Sequence, residues 1–288
     1  MNSCKRRLSA LWPKIIFARS VPMSNQSLSD ILWEQAIASN NFANAEKIYL
    51  HLCQTNNAQA EHHTVMGLWY QQMHEYTKAI QAFQAALALD SDSVDELYYQ
   101  TALCYFEEEN YSKALNYLTL SLNIDPDFAD AIFLKAETAA LLDDKETAAA
   151  LYKRLLGLIN DDVQLCITVA ASLSEIGYVD EALEIYHRAL LIEPDNYYLY
   201  SNLGAEYTGL GEYEDALFCH EKALAINQFC ADLWYNLACT YAQCDRPLEA
   251  LNALSKAIFL DNANKEYAAN DDELLPLHSL GQFWKLIE

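Results

Sequence analysis

Residues 231–264 read ADLWYNLACTYAQCDRPLEALNALSKAIFLDNAN. Trp234, Leu237, Ala238 and Tyr241 recur at i, i+3, i+4 and i+7, the spacing of an amphipathic helix. Ala250, Leu254 and Ala257 place the same spacing on a second helix. The pattern repeats through the rest of the chain. Alanines stand at 45, 79, 114, 148, 182, 216 and 250, at steps of 34, 35, 34, 34, 34 and 34. Twelve residues before each lie Trp33, Gly67, Ala102, Ala136, Ala170, Gly204 and Ala238, small in all but the first. Four residues after each lie Tyr49, Phe83, Leu118, Tyr152, Tyr186, His220 and Leu254, all large.

The alternation has a packing cause. Two helices approach closely only where one offers Ala or Gly and the other a bulky side chain. In residues 197–230 the first helix shows Tyr200, Leu203, Gly204 and Tyr207, and the second shows Tyr213, Ala216, Leu217, His220, Ala223 and Leu224. Gly209 and Gly211 are expected to make the turn between them. Ser93 with Glu96 fits a capping box, and Asp127 and Asp195 stand where first helices begin. Pro126 and Pro194 lie two periods apart and break helices.

With these residues in view the chain resembles the tetratricopeptide repeat (TPR) family. Trp234, Leu237, Ala238, Tyr241, Ala250, Leu254 and Ala257 carry the resemblance most closely. Seven units follow, at 26–59, 60–94, 95–128, 129–162, 163–196, 197–230 and 231–264. The expected fold is all-α. The resemblance implies a right-handed superhelical solenoid of antiparallel helix pairs, whose first helices line a concave channel. A lone pair cannot bury its apolar face, so the units are expected to form one cooperative array. Trp33 in a small slot predicts a looser first unit. Lys135 in a Leu slot, and a turn of Asp143, Asp144 and Lys145 without Gly, predict a softer joint at the fourth. Residues 265–288, with Leu274, Leu277, Leu280, Phe283 and Trp284, resemble the end-of-array motif of bacterial TPR proteins and are expected to cap the last unit.

Composition bounds the function. Of 288 residues, 52% are hydrophobic and 20% charged, a globular balance. Eighteen basic side chains face 41 acidic ones, for a net charge of −23. Residues 1–22 (MNSCKRRLSALWPKIIFARSVP) hold five basic side chains and no acid, leaving −28 on residues 23–288. Such a surface repels nucleic acid and anionic membranes. Residues 1–25 read as a basic, disordered leader with partial likeness to a presequence. Pro13 and Lys14 interrupt any secretory apolar stretch. No run of about 18 apolar residues predicts membrane insertion. The eight cysteines are scattered without a CxxC pair, which predicts reduced thiols and a cytoplasmic protein.

No motif for nucleotide binding, serine hydrolysis or zinc-dependent proteolysis occurs, so the chain is expected not to be an enzyme and to need no cofactor. His51, Cys53, His62 and His63 have zinc-ligand chemistry but match no familiar spacing. Asp90, Asp92 and Asp95 lack the Gly and distal Glu of a calcium loop. No metal is expected at either. His220 reads as a core histidine with its polar atoms satisfied, and Cys239 and Cys244 as packing residues.

Helical geometry turns one face of each first helix away from its partner. That face carries Glu96, Tyr99, Gln100 and Phe106, then Asp130, Phe133 and Glu137. Later units add Tyr198, Ser201, Asn202, Asp232, Tyr235, Asn236 and Gln243. Asn202 and Asn236 lie one period apart, and an amide can hold a peptide backbone as donor and acceptor together. The expected contacts are Tyr99, Phe106, Phe133, Tyr198, Asn202, Tyr235 and Asn236. Family members that clamp the acidic tails of chaperones use Lys and Arg in the channel, whereas acids, amides and aromatics stand here, so no such clamp is expected. The expected ligand is a neutral or basic protein segment with apolar anchors, and the expected role is an interaction scaffold or adaptor. The alternative is a structural assembly subunit docking through its outer faces or ends, for which Ile31, Leu32 and Trp33 would serve if exposed.

Overall fold

The computed structural model describes residues 28–89, 93–159 and 161–288. The leader at 1–25 and the acids Asp90 and Asp92 fall outside them. Every regular element among the described residues is helical. They divide into two compact units, one ending at Leu158 and the other beginning at Ile159. The boundary lies near the end of the fourth repeat.

The first unit holds α1 (Leu28–Ala38), α2 (Phe42–Gln54), α3 (Ala60–Gln72), α4 (Tyr76–Leu87), α5 (Val94–Glu107), α6 (Tyr111–Ile124), α7 (Ala129–Leu141) and α8 (Lys145–Leu158). Consecutive helices pack as hairpins, and the first helices α3, α5 and α7 also touch in series. Ala45, Ala79, Ala114 and Ala148 are fully buried, as the repeating small slot requires. The approach is tight at Gly67, where a Cβ would lie 2.4 Å from Phe83 Cε1. Trp33 is buried rather than exposed, its ring edge-on to His62 with centroids 5.0 Å apart. Ile31 and Leu32 remain exposed beside it. Lys135, in its Leu slot, reaches out to donate to Thr119 Oγ1 at 3.0 Å.

The second unit holds α9 (Val163–Glu175), α10 (Val179–Ile192), α11 (Tyr197–Leu210), α12 (Tyr213–Ile226), α13 (Ala231–Gln243) and α14 (Pro247–Leu260). It ends in α15 (Asn264–Ala269), a 3-10 turn (Asp272–Leu277) and α16 (Gly281–Ile287). Ala182, Ala216 and Ala250 are fully buried here. The tail packs against α13 and α14 and buries Ala268, Leu274, Leu277 and Phe283 completely. Polar anchors fix it. Tyr235 Oη donates to Asp271 Oδ2 at 2.6 Å, Gln243 Nε2 to the Glu273 carbonyl at 2.6 Å, and Asn264 Nδ2 to the Ala257 carbonyl at 3.2 Å.

Turn chemistry departs from the sequence reading. Within each hairpin one residue takes positive φ, at 40, 74, 109, 143, 177, 211 and 245, again one period apart. Only Gly177 and Gly211 are glycines; Asn40, His74, Glu109, Asp143 and Asp245 adopt the same conformation with side chains. Gly209 lies inside α11 and makes no turn. Caps differ too. Ser93 is the N-cap of α5 without a side-chain capping bond, and the Glu96 carboxylate accepts from Gln100 instead. Phe128 precedes α7, and Asn196 rather than Asp195 caps α11, accepting from Tyr198 N at 3.0 Å. Asp127 pairs with Arg154.

Candidate functional site

The first-helix face is built differently in the two units. In the first, three of the expected contact residues are buried. Tyr99 packs against Phe128 with ring centroids 5.0 Å apart, Phe106 against Tyr111 at 5.5 Å and Phe133 against Tyr152 at 6.1 Å. Glu137 is buried as well and accepts from Tyr152 Oη at 2.5 Å. What this face offers outward is polar. Glu96, on the first turn of α5, and Asp130, on the first turn of α7, are both half-buried. Gln100 lies one turn after Glu96 and donates to its Oε1 at 2.6 Å. Burial raises both carboxyl groups above the ordinary range, and Asp130 raises Glu96 further.

In the second unit the face carries an exposed aromatic. Tyr198 is 58% exposed, and its ring stacks on Tyr197 with centroids 4.1 Å apart. Asn202 stands half-buried one turn further along α11. Asn236 instead donates to Ser201 Oγ on the neighbouring first helix at 3.1 Å. The Asn pair is therefore unequal, one amide being occupied within the fold. Tyr235 is half-buried under the tail, and its hydroxyl is pushed up by burial and by the Asp271 carboxylate it bonds.

The zinc-like constellation is dispersed into structural roles. His62 Nδ1 accepts from Gln59 N at 3.0 Å and closes the cap of α3. His63 Nδ1 bonds Tyr49 Oη at 2.8 Å. Among the described residues no group of three or more His, Cys, Asp or Glu side chains could hold a metal ion. The seven described cysteines are unpaired, and burial pushes the Cys104 and Cys239 thiols far up, away from thiolate reactivity. A cleft of about 280 Å³ in the first unit is lined by Thr77, Gln84, Tyr105 and Lys113 among others. It lies on the second-helix side, where Thr77 already bonds Glu108 and Gln84 bonds Tyr117.

His220 corrects a sequence expectation. It is 1% exposed in the large slot of α12, but neither ring nitrogen has a hydrogen-bond partner. It faces Gly204, where a Cβ would lie 2.5 Å from its Cε1. Apolar enclosure lowers its pKa to about 4, so it sits in the core as neutral imidazole. Sequence spacing placed the ring correctly but could not show which atoms would surround its nitrogens.

Models of the tetratricopeptide repeat match residues 95–128, 197–230 and 231–264. The chain carries tetratricopeptide repeats. No curated protein matches this TPR chain in sequence. Its fold is similar to that of MamA, at 16% identity and TM-score 0.50 over 62% of this chain and 97% of that one. MamA 41-end from Desulfovibrio magneticus RS-1 gives 18% identity and TM-score 0.50 over 60% of this chain and 97% of that one. The APC/C hetero-tetramer Cut9-Hcn1 gives 14% identity and TM-score 0.52, covering 93% of this chain but only 50% of that one. At these identities the likeness is one of fold. No helix of the described residues is long and apolar enough to cross a membrane.

Proposed function

We propose that this TPR chain is a non-catalytic scaffold that binds a protein segment on its first-helix faces. The observation that carries the reading is Tyr198, an aromatic held open on the face of α11 by its stack on Tyr197. A large ring fixed in place before binding loses little entropy when a ligand covers it, which is why such rings anchor interfaces. Asn202, one turn along, supplies an amide to a peptide backbone. The ligand is a neutral or basic segment with apolar anchors, because the face presents aromatics, amides and acids and the chain carries −23 overall. The site on the second unit keeps Tyr198 and Asn202. Tyr99, Phe106 and Phe133 pack inside the first unit, and Tyr235 and Asn236 tie the second unit together. Cytoplasmic placement fits the unpaired cysteines.

The test is affinity capture with the full chain and with a Tyr198→Ala/Asn202→Ala variant of equal helicity, followed by rebinding of the purified captured protein. A partner that binds the parent and loses at least tenfold in affinity for the variant supports the reading. Equal affinity refutes it. That result would favour an assembly subunit that docks by its ends, a reading supported by Phe259, which is 88% exposed, and Tyr267, exposed on the tail. A Phe259→Ser/Tyr267→Ser variant would then lose the partner. A protein of similar fold, Cut9, occurs in a hetero-tetramer with Hcn1.

A further inference from the structure

The start of α11 and the turn between α12 and α13 lie at one end of the second unit, because α11 and α12 pack as a hairpin and α13 runs beside α11. The bond from Asn236 to Ser201 sets the register of the two first helices, and Asp232 and Tyr198 each stand one turn before it. Two aromatic rings are open at this end, Tyr198 and Phe229, the latter 77% exposed. The turn that carries Phe229 is fixed. Phe229 N donates to Asn227 Oδ1 at 3.3 Å, and Trp234 Nε1 donates to the Gln228 carbonyl at 2.9 Å. The Asn227 side chain also hydrogen-bonds Tyr197, the ring on which Tyr198 stacks, so one support holds both open rings.

The same end carries acids without a matching base. Asp195 and Asp232 are exposed, and neither is a helix cap: Asn196 caps α11, and Cys230 precedes α13. The first helices α9, α11 and α13 contain no Lys or Arg. On the neighbouring second helices, Lys222 lies over Phe218 and Lys256 over Trp234. A segment that covers Tyr198 and Phe229 takes water from the carboxylates beside them, and a carboxylate that loses water without a counter-charge is costly. The occupant therefore has to bring positive charge to the rings. A guanidinium stacks on an aromatic face and forks onto a carboxylate at once, whereas an ammonium is a strongly hydrated point charge. We propose that Tyr198, Phe229, Asp195 and Asp232 receive an arginine side chain of the bound protein segment. The proposal rests on the scaffold reading above and assigns the chemistry of one ligand position.

The probes are the blocked tripeptide acetyl-Leu-Arg-Leu-amide and its analogues with citrulline, the neutral isostere of arginine, or lysine at the centre. Each is titrated into the full chain labelled with 4-fluorophenylalanine, and the Phe229 fluorine signal, assigned with a Phe229→Leu variant, is followed by NMR. The arginine peptide is expected to shift that signal saturably, with the citrulline peptide at least tenfold weaker and the lysine peptide between them. An Asp195→Asn/Asp232→Asn variant should bind the arginine peptide no better than the citrulline one. Both acids are exposed, so its circular dichroism should match the parent's, which separates loss of the subsite from loss of the fold. Equal binding of the arginine and citrulline peptides, no saturable shift, or an arginine preference that survives in the double variant would each overturn the subsite. A lysine peptide that binds as well as the arginine one would overturn the guanidinium assignment. The scaffold reading falls on a different result, unchanged partner affinity in the Tyr198→Ala/Asn202→Ala variant.

Discussion

Replacing His220 by Phe should stabilise the protein and flatten its acid sensitivity. The imidazole is enclosed by the α11 and α12 packing with both nitrogens unpartnered. Leaving a buried polar group unsatisfied costs about 1–3 kcal/mol. Phe suits the slot, because Phe83 already occupies the equivalent position over Gly67 as His220 does over Gly204. The pH effect follows from the folded-state pKa of about 4 against an ordinary 6.5. Between these values the unfolded chain binds a proton that the folded chain does not. Stability is therefore full above about pH 6.5 and falls as the pH drops towards 4; below that this group adds no further change. At 1.36 kcal/mol per unit the loss amounts to about 3 kcal/mol. Burial also lowers the His63 pKa, and that residue adds a slope common to both proteins, so the difference isolates His220. Urea unfolding followed by circular dichroism at pH 7.5, 6.5, 5.5 and 4.5 measures it. The His220→Phe variant should gain roughly 1–2 kcal/mol at pH 7.5, with the gap widening by about 2 kcal/mol or more at pH 4.5. Parallel pH curves, or a variant less stable at every pH, would refute the reasoning.

Other outcomes follow from the same geometry. Glu109→Gly should raise stability by about 1 kcal/mol, since φ of 59° strains a side chain there, while Gly211→Ala, at φ 78°, should lower it by a similar amount; thermal melts decide both. Gly67→Ala should cost several times more than an ordinary surface change, roughly 2–4 kcal/mol, because its Cβ would lie 2.4 Å from the Phe83 ring. Phe283→Ala should cost about 3–4 kcal/mol by emptying a fully buried site in the tail. Removing residues 265–288 should produce aggregates by size-exclusion chromatography. A monomeric, helical truncation would show that α13 and α14 need no cover.

The repeat and its register were legible in the sequence because the contacts that enforce them are local. Ala216 meets the first helix of its own hairpin within a single period, so the small and large slots recur in the one-dimensional string and proved buried at every alanine. The tail was legible for a similar reason, since Leu274, Leu277 and Phe283 have no other place to hide. Turns were less legible. The backbone demands positive φ once per hairpin, but Asn, Asp, His and Glu accept it at a cost that composition does not display. The site was least legible. A first-helix face is open or closed according to the side chains the fold lays over it, and helical periodicity alone gives Tyr99, Phe133 and Tyr198 the same prospects. Phe128 and Tyr152 cover the first two, and the stack on Tyr197 leaves the third standing. Tyr235 finds Asp271, 36 residues on, and Asn236 finds Ser201, 35 residues back. The linear pattern determined which residues form helices and which faces meet. Which polar atoms are satisfied depends on the folded chain, because their partners come together across repeats.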